Sequence, residues 1–216
     1  LGATIDAVND TTQFQWGLAQ SGGFFDATDI FPRSGYTMNV TAEKGLPGIS
    51  SVLQDDNRVP KMIFGSSITT IGASVGGAPT EDVFRAYAMQ INENAAPYSP
   101  YPTKTATQNT NLGFTTTMLW NKNITVPVTG KNYTWSISGA NYQADIFVVS
   151  CKQTMQKWGY KLSTGTLLWG PTASEGAMNF YGMSQTTYYG KYLTSVGYSG
   201  TLYCYDPQTG DLMWTY

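Results

Sequence analysis

Apolar and polar positions alternate in short runs along the C-terminal half of the chain. In "QKWGYKL" (156–162) and "TLYCYD" (201–206), large side chains recur at every second position. Because a β-strand points successive side chains to opposite faces, this period indicates strands with one face in a core. A Thr-Gly pair and a shorter run ending in tryptophan follow each strand, "TLLW" (166–169) and "DLMW" (211–214). The pattern therefore predicts two β-hairpins.

The two hairpins are copies of one sequence unit. Placing residues 160–169 on residues 205–214 gives five identities at a constant offset of 45 residues. The identical pairs are Tyr160/Tyr205, Thr164/Thr209, Gly165/Gly210, Leu167/Leu212 and Trp169/Trp214. The turn glycines are expected to have a positive φ, and Asp206, just before Pro207, is expected to accept backbone N–H bonds. Lys161 replaces this aspartate in the first copy, so the first turn must be held differently.

A third and more divergent copy precedes these two. It consists of three predicted strands, at 58–67, 83–91 and 113–125. The last of these strands carries Trp120, 49 residues before Trp169, which is close to the same spacing. A helix over 80–92, capped by Thr80, is the alternative for the middle strand, but the repeat assigns it as β. Residues 92–112 are rich in Pro, Asn and Thr and are predicted to form a long irregular loop.

Strands predicted at 132–138 and 178–183 complete four strands in the second and third copies. Four short strands every ~45 residues are typical of β-propeller blades. We therefore predict an all-β fold, a β-propeller with four-stranded antiparallel blades in a partial ring of about three blades. The predicted boundaries are 57–128, 129–173 and 174–216 for the blades in 57–216, after an N-terminal segment at 1–56 that is part of an earlier blade or a separate cap.

The ends of the sequence are also informative about the ring. One blade cannot bury both faces of its sheet, so a propeller needs about four to eight blades. A unit is complete at Trp214 while three blades leave the ring open, so we expect a segment of a longer chain with further blades. Completion of the ring by another subunit is the alternative. Leu1 in place of an initiator Met leads us to expect an upstream leader or region.

Composition restricts the compartment and the partners. Charged residues make up 12% of the 216 residues and the net charge is -2, so no basic surface for nucleic acid is expected. No apolar run approaches the ~20 residues of a membrane span. Polarity comes from hydroxyl and amide side chains, which is common in secreted and cell-surface proteins. We therefore expect a secreted or cell-surface location.

The candidate chemistry is sparse. The chain has no histidine, the commonest general base and transition-metal ligand, so Ser–His and Cys–His nucleophiles cannot be assembled from this chain alone. The acidic pairs Asp55-Asp56 and Glu81-Asp82 could ligate calcium, but acidic pairs in loops are usually only solvated. No catalytic, cofactor or metal residue is therefore predicted.

The repeat resembles a known family. "CYDPQTGDLMW" (204–214) is similar to the propeller repeat of pyrroloquinoline-quinone enzymes, in which a small residue, Asp, Thr-Gly and Trp stand at fixed spacing. The matching residues here are Cys204, Asp206, Thr209, Gly210 and Trp214. "GYKLSTGTLLW" (159–169) matches at Gly159, Thr164, Gly165 and Trp169 and departs at Lys161. The resemblance covers the last two units well, the unit before them weakly, and residues 1 to about 56 not at all.

The resemblance implies roles for the repeat residues. In that family the tryptophan packs flat against the neighbouring blade, which implies a blade-packing role for Trp120, Trp169 and Trp214, the last two with the Thr-Gly turns. The quinone enzymes also use a vicinal disulfide and a calcium site, whereas this chain has no adjacent cysteines and no compact carboxylate cluster. The same repeat occurs in cofactor-free scaffolds similar to the bacterial outer-membrane assembly lipoprotein. It therefore implies a PQQ-like propeller of the cofactor-free, secreted or cell-surface scaffold kind.

Two kinds of covalent modification are compatible with the sequence. Cys151 and Cys204 fall on different strands of neighbouring units, so they form either one disulfide or two buried free thiols. Four Asn-X-Ser/Thr sequons are candidates for glycosylation, at Asn9, Asn39, Asn123 and Asn132.

Three functional hypotheses follow. The first is a non-enzymatic secreted or cell-surface propeller scaffold, in a prokaryote, that binds a protein or glycan partner or further blades of a longer chain. The second is an oxidoreductase related to quinone-dependent dehydrogenases, with its cofactor groups in blades outside this segment. The third is a subunit of an extracellular sheath or filament. Cofactor absorbance after addition of quinone and calcium distinguishes the second from the first.

Overall fold

The computed structural model describes residues 2–6, 11–16, 38–43, 46, 49–57, 59–67, 70–71, 83–92, 115–128 and 133–216. Within these ranges the chain forms sixteen strands and one short 3-10 helix, and the paired strands run antiparallel. The predicted all-β fold with four-stranded antiparallel sheets is confirmed.

The strands form four sheets, which we call A to D in chain order. Sheet A contains β1 (Gly2–Asp6), β2 (Thr11–Trp16) and β3 (Met38–Glu43). Sheet B contains β4 (Ile49–Gln54), β5 (Pro60–Ser66), β7 (Val83–Asn92) and β8 (Thr115–Thr125). Sheet C contains β9 (Trp135–Asn141), β10 (Ile146–Cys151), β11 (Gln156–Lys161) and β12 (Thr166–Trp169), with the two-residue β6 (Thr70–Ile71) beside β9. Sheet D contains β13 (Met183–Tyr188), β14 (Tyr192–Gly197), β15 (Leu202–Tyr205) and β16 (Leu212–Thr215).

Sheets B, C and D stack face to face, with sheet C in the middle. The core between B and C joins apolar residues of both sheets, among them Phe64, Trp120, Phe147, Val149 and Trp158. The core between C and D contains Ala144, Ile146, Val148, Trp169, Leu193 and Tyr205. Successive residues of β10 therefore enter opposite cores, because side chains alternate across a strand. Meandering four-stranded sheets stacked in this way are the arrangement of successive β-propeller blades.

Two segments test the predictions of secondary structure closely. Residues 83–92 form β7 rather than a helix, as the repeat indicates. The strand predicted at 178–183 is wrong, because Ala177–Tyr181 form a 3-10 helix and β13 begins only at Met183. The backbone amide of Asn179 donates to the carbonyl of Gly176 at 2.8 Å. The Asn179 side chain bonds to Glu175 and Ser199, so these bonds replace the hydrogen bonds that a strand would make.

Strand β4 has no counterpart among the predicted strands. It pairs along β5 from Ile49↔Ser66 to Gln54↔Pro60, with an irregularity at Leu53/Gln54. Its sequence, ISSVLQ, has two adjacent serines and does not alternate cleanly. Pairing with the buried strand β5 decides its conformation. The blade boundaries given above stay predictions.

Candidate interaction site

Trp120, on the last strand of sheet B, lies on the turn between β11 and β12 of sheet C. Its side chain is only 9% exposed, and its indole N–H donates to the carbonyl of Leu162 at 2.8 Å. Gly165 in that turn has a φ of +63°, and a Cβ there would lie 3.0 Å from the indole ring. Both the left-handed backbone and the close ring favour glycine at this position.

Trp169 makes the same contact one sheet further along. It is 8% exposed, and its indole N–H donates to the carbonyl of Pro207 at 2.8 Å. Gly210 has a φ of +75°, and a Cβ there would lie 2.5 Å from the ring. Each accepting carbonyl precedes its turn glycine by three residues, so the repeat encodes one docking contact. Trp214 lies on β16 and is 43% exposed.

A small residue stands opposite each tryptophan on the neighbouring strand. The pairs are Ala88↔Trp120, Gly159↔Trp169 and Cys204↔Trp214. A Cβ on Gly159 would overlap the ring of Trp169. The ring of Trp169 is therefore held between one glycine of its own sheet and one of the next, which explains the small position in the repeat.

The two turns hold their backbones with different carboxylates. In the second turn, Asp206 Oδ1 accepts the amides of Gln208 at 2.7 Å and Thr209 at 3.3 Å. In the first turn, Asp145 reaches from the β9–β10 turn and accepts both the amide and the hydroxyl of Ser163 at 2.7 Å. Asp145 thus replaces the carboxylate that is missing at Lys161, as the sequence required some other support there.

The remaining candidate residues lie apart from one another. Cys151 and Cys204 are both buried and their thiols are free, and burial raises the pKa of the Cys204 thiol. Asn123 is exposed on β8, Asn39 lies in β3, and Asn9 and Asn132 lie outside the described residues.

The acidic pairs do not assemble a metal site in the part of the chain that the structure describes. Asp55 uses Oδ1 to accept the amides of Asn57 and Val59, each at 2.9 Å, which is a turn-stabilising role. Glu81 and Asp82 lie outside the described residues. Within the described ranges, no group of three or more His, Cys, Asp or Glu residues is placed to hold a metal ion.

A buried ion pair lies between sheets C and D and was missed by the sequence analysis. Lys157 is on β11, Glu175 is on the segment that leads to sheet D, and both side chains are fully buried. Glu175 Oε1 accepts from Lys157 Nζ and from the Tyr205 hydroxyl at 2.9 Å. Glu175 Oε2 accepts from Asn179 Nδ2 at 2.9 Å and from the Ser195 hydroxyl at 3.0 Å. Four donors from both sheets and from the connection therefore satisfy one carboxylate.

The electrostatics of this cluster follow from burial. Burial lowers the pKa of Lys157, and the charge and hydrogen bond of Glu175 act in the opposite direction. Burial, and next the charge of Glu175, raises the pKa of Tyr205. The Lys157 ammonium also lies 5.5 Å from the centre of the Tyr205 ring, a cation–π distance. The sequence offered one signal for a buried charge, a lysine within the aromatic strand "QKWGYK" (156–161). No feature of the sequence around Glu175 identifies that glutamate as the partner of Lys157.

An open cleft lies beside this cluster, at the edge of sheets C and D. Its volume is about 340 Å³, and hydroxyl, amide, ammonium and aromatic side chains line it. Ser136 and Ser150 come from β9 and β10, Lys152 follows β10, and Asn179 and Tyr181 come from the 3-10 helix. Asn179 belongs to both the cleft and the buried cluster, so the cluster fixes one wall of the cleft.

Exposed tyrosines surround sheet D. Five tyrosines of sheet D, its turns and the helix before it are 40–80% exposed: Tyr181 70%, Tyr188 52%, Tyr189 80%, Tyr192 40% and Tyr198 72%. By contrast, Tyr160 in sheet C is 5% exposed, and burial raises its pKa to about 12. Tyr160 is therefore a core residue of sheet C, whereas the tyrosines of sheet D lie on the surface.

Comparisons with known proteins gave no sequence match and a weak structural similarity. No protein-family profile matches the sequence, and no curated protein matches it significantly. Among solved structures, the crystal structure of BamB from Moraxella catarrhalis is similar, with 16% sequence identity and a TM-score of 0.37. The alignment covers 100% of this chain and 47% of that chain, so the chain spans about half the length of BamB. Of the helices in the described residues, none is long and apolar enough to cross a membrane.

Proposed function

We propose that this chain is a non-enzymatic β-propeller scaffold of the PQQ-like repeat kind, secreted or on the cell surface, that binds protein or glycan partners. The observation that carries the proposal is the exposure of five tyrosines on and around sheet D. Tyrosine supplies a large, rigid and amphipathic contact surface at a low cost in conformational entropy, and it is enriched at interfaces. This surface is therefore suited to recognition.

The use of the charged groups supports the same proposal. The most buried charges, Lys157 and Glu175, have their hydrogen bonds engaged in joining sheet C to sheet D. Trp120 and Trp169 are likewise engaged in joining neighbouring sheets. The exposed side chains of the cleft and of sheet D are mainly hydroxyl, amide and aromatic groups. Such groups are suited to binding the surface of another molecule. The low charge content and the exposed sequon at Asn123 are consistent with an extracellular glycoprotein.

The test compares two activities, binding of a partner and quinone-dependent oxidation. We expect the labelled protein to bind saturably to at least one member of an array of glycans and purified cell-surface proteins, and replacement of Tyr181 and Tyr198 by serine to weaken that binding. Tyr160→Phe, in the core, is the control and should leave binding unchanged. A stoichiometric absorbance change on addition of pyrroloquinoline quinone and calcium, together with reduction of an acceptor dye, would contradict the proposal and support the oxidoreductase.

A further inference from the structure

We propose that the cleft between the ends of β9 and β10 and the 3-10 helix binds an acidic saccharide, a sugar unit that carries a carboxylate. This inference rests on the proposed function, because it names the ligand class of one part of the recognition surface. It concerns six residues of the cleft: Ser136, Ser150, Lys152, Asn179, Phe180 and Tyr181.

The size and lining of the cleft suit a sugar. A volume of about 340 Å³ lies in the usual range of small-molecule sites and accommodates one or two sugar rings. Sugar hydroxyls both donate and accept hydrogen bonds, and the hydroxyl of Ser136 does the same. The Ser150 hydroxyl is buried and already bonds to Ser138 at 2.8 Å and to Gln185 Nε2 at 3.0 Å, so it shapes the floor of the cleft. Asn179 has one amide hydrogen on Glu175 and its oxygen on the amide of Ser199 at 3.1 Å. Asn179 is 2% exposed, so these bonds make it a positioning residue that fixes the wall of the cleft.

The charge of the cleft indicates an anionic ligand. Lys152 is exposed, and among the described residues no carboxylate lies within ion-pair distance of its Nζ. Its Nζ lies 4.9 Å from the centre of the Phe180 ring, so a cation–π contact holds it over the cleft. A ligand carboxylate at this position would form a charge-assisted hydrogen bond.

The aromatic wall favours a sugar over a peptide. Phe180 is 36% exposed and Tyr181 is 70% exposed, and their rings meet edge to face at 5.6 Å. An exposed ring of this kind can cover the C–H face of a sugar ring while the surrounding hydroxyls bond to its edge. A peptide that binds by strand addition would instead require a row of free backbone groups.

The cleft is organised before the ligand arrives. Glu175 holds Asn179 from the buried side, and Asn179 in turn accepts the amide of Ser199. The 3-10 helix that carries the two aromatic rings is therefore attached to the buried ion-pair cluster. Such preorganisation reduces the entropy lost on binding.

The experiment measures the affinity of the 216-residue chain for a tetrasaccharide of uronic acids by calorimetry, with neutral maltotetraose and tetraglutamate as comparison probes. We expect saturable binding of the uronate, at least about tenfold tighter than either comparison probe. Lys152→Gln should weaken uronate binding by about tenfold, and Tyr181→Ala by a similar factor. Raising the salt concentration should weaken uronate binding by the parent chain, because salt screens the attraction between Lys152 and the carboxylate.

Two control positions lie away from the cleft and are not among the exposed tyrosines. Lys191 is exposed in the β13–β14 turn and Leu167 is 52% exposed on β12, so Lys191→Gln and Leu167→Ala should change the affinity by less than about twofold. Absence of saturable uronate binding, or equal weakening by the control variants, would overturn the inference. Tighter binding of tetraglutamate would replace the saccharide by an acidic peptide and leave the proposed scaffold function intact. The scaffold function itself is tested separately, by the binding array and the quinone assay described above.

Discussion

At the scale of single residues, the stacking of the sheets depends on glycine in the docking turns. Gly165 and Gly210 combine a left-handed φ with close contact to a tryptophan of the preceding sheet. An L-amino acid with a side chain would encounter both backbone strain and a steric overlap with the ring. The two effects can be separated, because Gly200 has a φ of +72° and nothing within 4 Å of its added Cβ.

We predict that Gly210→Ala lowers the free energy of unfolding more than Gly200→Ala does. Gly200→Ala carries only the left-handed backbone cost, about 1–2 kcal/mol. Gly210→Ala adds the overlap with Trp169, which costs about 1–3 kcal/mol more. Urea denaturation of both variants measures the difference. Equal losses would mean that contact with the tryptophan does not constrain the turn.

At the scale of elements, β11 carries two lysines in opposite environments. Lys157 is buried against Glu175, whereas Lys161 is exposed, with its Nζ 3.9 Å from Asp145 Oδ2. Removing one partner of a buried pair leaves an uncompensated charge, which is far more costly than loss of an exposed pair. One strand therefore offers both the test and its control.

We predict that Glu175→Gln destabilises the protein by about 3–5 kcal/mol, because Lys157 is left buried without a counter-charge. Adding Lys157→Met to this variant should restore part of the loss, since the unpaired charge is removed. Lys161→Met should cost about 0–1 kcal/mol. Unfolding free energies of the parent and the three variants, measured by urea titration, test these values. A Glu175→Gln variant as stable as the parent would show that the ion pair does not stabilise the junction of the two sheets.

At the scale of the whole molecule, the three stacked sheets differ in how many faces they bury. All six residues of β10 in sheet C are buried, whereas three of the six in β14 of sheet D are. Both strands lie inside their sheets and pair with a neighbour on each side, so neither is an edge strand. Burial is therefore the main difference between them.

We predict slower amide hydrogen exchange in β10 than in β14, by at least about tenfold. Opening β10 exposes two cores to water, and opening β14 exposes one. Exchange measured by mass spectrometry on peptides covering 146–151 and 192–197 provides the comparison. Equal protection of both peptides would indicate that sheets C and D open as one cooperative unit.

Much of the fold could be predicted because its signals are local. The period of two residues and the Thr-Gly turn specify hairpins within a few residues of sequence, and the spacing of Trp120, Trp169 and Trp214 indicates repeated sheets. The prediction failed at 178–183, where Asn179 donates to Glu175 and accepts the amide of the distant Ser199, and where these bonds accompany a 3-10 helix. It also missed β4, whose strand conformation depends on pairing with β5.

The sequence by itself determined the hairpins, the positive-φ glycines and the small residues beside the tryptophans, because these depend on backbone geometry and on neighbours at a fixed spacing. Only the tertiary structure decided that Lys157 and Glu175 form a pair and that Asn179 links this pair to an open cleft. Only the tertiary structure also shows that Asp145 supports the β11–β12 turn, which lacks an aspartate of its own. These contacts join residues of different strands, and their partners are chosen by how the sheets stack, which no local pattern specifies.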